Sequence, residues 1–159
     1  MELLKDSKRS DRELAKVLGV SQPTITRMRH KLVEEGIIRE FTVIPDFIKL
    51  GYKIMAITIA KAKTTLTPEE QEKARTLVLE NPNVIFVASA NGMGRNGVMI
   101  SLHRNYSDFV RFMSDLKSES MGYMENVDNM LIILMSGDVV KPLSLSYLAG
   151  QDEPQAETR

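Results

Sequence analysis

The segments YKIMAITIAKAK (52–63), VIFVASA (84–90) and NMLIILM (129–135) are apolar on both sides of the β alternation. Ile54, Ala56 and Ala60 interleave with Met55, Ile57 and Ile59. Val84, Phe86 and Ala88 interleave with Ile85 and Val87, and Met130, Ile132 and Leu134 with Leu131, Ile133 and Met135. Strands of this kind must be covered on both faces. VMISLH (98–103) supplies a fourth strand, joined to the second by the Gly/Asn-rich turn NGMGRNG (91–97).

Helices fall between these strands. Thr67 and Glu70 form a capping box at the start of a helix running to about Glu80. A second helix starts at Asn105 and places Tyr106, Phe109, Val110, Met113 and Leu116 on one face. The order is β-α-β-β-α-β, the ferredoxin-like split βαβ motif. Two helices cover one face of a four-stranded sheet, so the other face must meet something else. The simplest cover is a second copy of the same sheet, which predicts a homodimer. The alternative is that residues 37–50 fold back over it.

The first 36 residues read as helical. Residues 1–6 suit the end of a helix. Ser10 and Glu13 make a capping box, Leu14, Val17 and Leu18 an apolar stripe, and Gly19 a left-handed stop. Ser21 caps the next helix and Pro23 lies in its first turn, with Ile25, Met28, Leu32 and Val33 on its buried side and Gly36 at its end. Residues 37–50 read as a strand, a turn at Pro45-Asp46 and a linker.

A short capped helix, a glycine turn and a second capped basic helix have the shape of a helix-turn-helix. Residues 21–33 contain Arg27, Arg29, His30 and Lys31 and no acid. Away from the buried side lie Pro23, Arg27 and His30, flanked by Thr26 and Lys31, with Gln22 and Thr24 at the N-terminal end. Arginine suits guanine edges in the major groove and glutamine suits adenine, so Arg27 and Gln22 are the candidates for base contacts. Ser21, Thr24 and the free amides of the first turn suit phosphates, as do Lys8, Arg9 and Arg12 on the preceding loop and helix. Arg29 lies nearer the buried flank and is placed to pair with Glu13 or another neighbour. The competing interpretation is a helical hairpin used for packing, with a solvated basic face.

Composition narrows the remaining classes. The 159 residues carry 21 Lys+Arg and 21 Asp+Glu, yet residues 1–50 hold ten basic against eight acidic, so the N-terminal part is the candidate anion binder. No cysteine and only His30 and His103 leave no disulfide framework and no usual zinc ligand set. No apolar run reaches the ~18 residues of a membrane helix, and MELLKDSKRS has no signal-peptide core, so a cytoplasmic protein without a membrane partner is expected. No cofactor is expected. Gly92 to Gly97 spells G-x-G-x-x-G, but both flanks read as strands, which makes it a hairpin and not a dinucleotide turn. That hairpin is the candidate effector site: Arg95 could meet a carboxylate, Met93 could touch a ligand, and the amides around Gly94 and Asn96 could hold an anion. His103 reads as an ordinary strand-end histidine.

The stretch RELAKVLGVSQPTITRMRHKLVEEGIIREFTVIPDFIKLGY (12–52), followed by the βαββαβ pattern to about residue 140, resembles the Lrp/AsnC (feast/famine) family of transcription regulators. The resemblance implies an α+β chain. A winged helix-turn-helix domain (1–44) and a linker (45–51) precede a ferredoxin-like, RAM/ACT-like dimerisation and effector domain (52–140); outside the resemblance lies a C-terminal extension (141–159), whose polar end QDEPQAETR is expected from its composition to be a disordered tail. It implies double-stranded DNA as partner, homodimers that assemble to tetramers or octamers, and a small effector such as an amino acid. The family's loop usually reads Gly-x-x-Asp, where this chain has Gly94-Arg95-Asn96-Gly97. Two alternatives share the plan. One is a siroheme-decarboxylase-like enzyme using His103, Arg104 and Arg95 on a tetrapyrrole. The other is a metabolite sensor or assembly partner without DNA binding.

Overall fold

The computed structural model describes residues 2–63, 65–120, 123–135, 137 and 139–150. They form two compact units, one of residues 1–44 with the segment from Lys141, the other of residues 45–140.

The first unit holds α1 (Glu2–Lys5), α2 (Asp11–Leu18) and α3 (Gln22–Glu34). Both halves of the Ser10/Glu13 capping box form, and Gly19 closes α2 at φ 66°, the left-handed region that glycine enters without Cβ strain. Leu14 and Ala15 of α2 and Ile25 of α3 make a small core with Leu3 against it. This core is smaller than the apolar spacing predicts. Val17, Leu18, Met28 and Val33 are exposed, because within this unit two short helices meet along one line only. The strand expected after Gly36, ahead of the turn at Pro45-Asp46, is not formed. Residues 37–44 have no ladder partner among the described residues, and Ile38 N–H donates instead to the Leu32 carbonyl (2.9 Å). The segment after Lys141 is ordered from Leu145 to Gly150 as a 3-10 helix that packs on α1, burying Ala149. The tail expected to be disordered, 151–159, lies outside the described residues.

In the second unit, residues 45–51 make a hydrogen-bonded turn. Asp46 accepts from the amides of Ile48 and Lys49, Leu50 N–H returns to the Asp46 carbonyl, and Gly51 ends the turn at φ 86°. A Cβ on Gly51 would lie 3.1 Å from Arg104 Nη1, so space and backbone both favour glycine.

Strands β1 (Ile54–Ala62), β2 (Val84–Gly92), β3 (Arg95–His103) and β4 (Met124–Ile133) form one antiparallel sheet in the order β2-β3-β1-β4. This is the ferredoxin-like arrangement, with α4 (Pro68–Leu79) and α5 (Tyr106–Ser120) between strands. The register puts Ala56 beside Ser101 and Leu131, and Thr58 beside Met99 and Asn129. That face packs on Phe109, Phe112, Met113 and Leu116. The inward face of α5 is therefore one step from the predicted one: Phe112 is buried, while Tyr106 and Val110 are exposed. The last strand starts at Met124, five residues before the predicted Asn129, because polar Asn126 and Asp128 still pair along β1 and Glu125, at the register shift, bridges to Lys61. The 91–97 turn is shorter than predicted. Strands continue to Gly92 and from Arg95, leaving a two-residue turn with Met93 at φ 54° and Gly94 at φ 68°. Both residues left-handed is the type I′ pattern that suits a twisted hairpin.

The opposite sheet face carries Ile57, Ile100, Phe86 and Met130 in register, and the last two are half or more exposed.

Candidate nucleic-acid interface

The geometry of α3 is set by one acidic side chain at the first position of α2. Asp11 accepts from the Thr26 hydroxyl (2.7 Å) and from Arg29 Nε (2.9 Å), and its ion pair with Arg29 Nη2 closes at 2.8 Å. Arg29 also reaches the Arg9 carbonyl (3.4 Å). The Thr26 hydroxyl and then the Arg29 guanidinium hold the Asp11 carboxyl below its usual range. The side of α3 that carries Ile25, Thr26 and Arg29 is thus fastened to α2. Nothing in the local sequence marks Asp11 for this, since its partners lie 15 and 18 positions away.

The other side is open. Gln22, Pro23, Arg27, His30 and Lys31 are exposed, as is Ser21, while Thr24 and Thr26 are half-buried. Ser21 Oγ accepts from the Thr24 amide (3.4 Å) and lies 2.8 Å from Thr24 Oγ1, closing the helix start. Lys31 has a long contact with Glu35 (3.6 Å). Among the described residues Arg27, His30, Lys8 and Arg12 make no ion pair. Arg9 differs: it is half-buried and bonded to Glu2 (2.7 Å), so it ties α1 to the loop. The result is a rod with one anchored side and one cationic side, which a duplex groove can accept without breaking the anchor.

The hairpin residues are differently placed. Arg95 is bonded to the Asp128 carboxylate across the sheet. The Asn96 amide accepts from Ala62 N–H (2.7 Å) and donates to the Ala62 carbonyl (3.1 Å), pinning the strand where its register shifts. Met93 is 88% exposed at the tip.

The residues named for an enzyme do not converge. His103 is fully buried, shares a 2.8 Å contact from Nε2 with Ser101 Oγ and lies against Phe109 and Phe112. Burial lowers its pKa, against a smaller upward pull from Asp108. Arg104 sits over the Tyr52 ring and reaches the Leu50 carbonyl (3.4 Å). Among the described residues no helix is long and apolar enough to cross a membrane, and no group of three or more potential ligands is gathered for a metal.

A capped helix pair with a pinned recognition helix, on a chain that also carries a ferredoxin-like unit, defines a helix-turn-helix DNA-binding protein. A family model described as winged helix-turn-helix DNA-binding matches residues 2–39. The HTH-type transcriptional regulator PH0061 of Pyrococcus horikoshii is 33% identical over 135 residues, 84% of this chain and 85% of that protein. Its crystal structure is similar at a TM-score of 0.73 and 30% identity, over 90% of each chain. Two further structures share the fold. The AsnC structure from E. coli has a TM-score of 0.68 at 18% identity, over 82% of this chain and 85% of that one. The NMB0573/L-Met complex from Neisseria meningitidis has 0.74 at 15% identity, over 92% of each. The chain belongs to the Lrp/AsnC family and is a DNA-binding transcription regulator, not an enzyme.

Proposed function

We propose that the protein is a homodimeric regulator that reads specific operators with α3. Lys8, Arg12, Ser21, Thr24 and Lys31 hold phosphates, with Arg9 and Thr26 placing the helix at the backbone. Gln22 and Arg27 read base edges, with Pro23 and His30 beside them. The observation that carries this reading is the division of α3 into a side tied to Asp11 and an exposed side bearing Arg27, which has no ion-pair partner among the described residues, together with His30 and Lys31. Phosphates reward free cations, and base edges require side chains that can approach a groove.

Dimerisation is supported by the bare apolar sheet face around Phe86 and Met130 and by exposed Ile37, Phe41 and Val43 on the unpaired 37–44 segment. Two copies related by a twofold axis present two recognition helices to a roughly palindromic site, with half-sites about 34 Å or a multiple apart. A small metabolite, such as an amino acid, tunes this assembly at the hairpin. There Met93 and Gly94 offer an exposed tip, Asn96 holds it in place, and Arg95 can exchange Asp128 for a ligand carboxylate. Acting on DNA, the protein works in the cytoplasm.

Selection of bound fragments from the source genome tests the reading. A palindromic motif, bound with an affinity that falls steeply as salt rises, is the expected result. Recovery of no enriched motif, with no salt-dependent mobility shift on any fragment, overturns it in favour of a sensor without DNA binding.

A further inference from the structure

Between α4 and the helix-covered face of the sheet lies a cleft of about 620 Å³, in the size range of small-molecule sites. Its origin is visible in the residue sizes. Ala74 faces it from the helix, and Ala60 and Gly97 line it from the strands. A Cβ added to Gly97 would meet nothing nearer than the Ala60 carbonyl at 3.8 Å, so the space is real on the strand side. No residue of α4 is fully buried, and Leu79 at the rim is 61% exposed. The helix therefore stands over apolar surface that it does not fill.

The lining is apolar apart from a few groups, and most of those are already engaged. Thr58 donates to Asn129 (2.7 Å), Asn96 is committed to the Ala62 backbone, and Gln71 donates to the Leu66 carbonyl (3.1 Å). One charged side chain remains, Arg75. Among the described residues no carboxylate lines the cleft, and none pairs with Arg75. A guanidinium beside apolar walls selects a carboxylate with a hydrocarbon body. The same arrangement disfavours an α-ammonium, which would sit beside Arg75 with no acid to compensate it.

We infer that this cleft binds an apolar monocarboxylate that has no amino group, a fatty or branched-chain oxo acid in chemical class, with Arg75 as the carboxylate receptor. The site is separate from the hairpin tip and does not rest on the DNA-binding reading. Its test therefore uses the full chain without DNA. Octanoate and 2-aminooctanoate, which differ by one ammonium, are titrated calorimetrically into the wild type, Arg75→Gln and Ala74→Phe. Saturable octanoate binding at one site per chain is expected, with the amino analogue at least tenfold weaker. Arg75→Gln should weaken octanoate at least tenfold, and Ala74→Phe should abolish binding by filling the space, with thermal melts showing both variants folded. Absence of saturable octanoate binding overturns the inference. So does equal binding of the amino analogue, or octanoate binding that survives Arg75→Gln.

Discussion

Asp11 decides where α3 points, because among the described residues it is the one group bonded both to Thr26 and to Arg29. Its carboxyl is held below the ordinary range by those partners, so its contribution is complete at neutral pH and is lost as pH falls through the lowered value. Glu13, held low by Ser10, adds to the same acid sensitivity. Asp11→Asn is expected to flatten the dependence of Tm on pH below about 4, the ordinary carboxylate value, and to reduce operator binding at neutral pH. Thermal melts from pH 6 to pH 2 and a mobility shift measure the two effects. His103 works in the opposite pH range. Burial disfavours its charged form, so the unfolded chain takes up a proton that the folded chain refuses. Stability should therefore decline as pH falls through the unfolded histidine value of about 6.5. His103→Gln, which keeps a partner for Ser101, should lose that decline; an unchanged slope between pH 7 and pH 5.5 would contradict the assignment.

At the scale of elements, the hairpin tip stores a little strain. Met93 occupies the left-handed region, which costs a residue with a Cβ about 1 kcal/mol. Met93→Asn restores the residue a type I′ turn prefers, and should raise stability by about 0.5–1 kcal/mol in urea denaturation. The elements also show what sequence can carry. Capping boxes at Ser10 and Thr67, the Gly19 stop and the strand-hairpin-strand order are local signals, each set by residues a few positions apart, and the structure forms them. The misread details depend on distant partners. Phe112 replaces Val110 on the inward face of α5 because the sheet, not the helix period alone, decides which flank is covered. The expected strand after Gly36 has no partner within the described chain, so its backbone forms no ladder. For the candidate site, the exposed positions on α3 follow from helical periodicity. The Asp11 anchor does not, since it joins residues far apart in sequence.

At the scale of the whole molecule, the proposed function couples the open sheet face to the exposed cationic side of α3. One recognition helix makes few phosphate and base contacts, and a twofold pair doubles them on one operator. Met130 is 66% exposed on that face, opposite Ile57. Met130→Glu should weaken the dimer by more than about 3 kcal/mol, since an unpaired carboxylate costs more to bury than a neutral polar group. Sedimentation at micromolar concentration is expected to show a dimer for the wild type and a monomer for this variant, and operator affinity should fall with it. The most direct test of the account is the affinity and base preference of Arg27→Ala on the selected operator at fixed salt. A loss of about 1–3 kcal/mol with relaxed preference at one base pair in each half-site is predicted. Unchanged affinity and unchanged preference would mean that the exposed side of α3 does not face the groove.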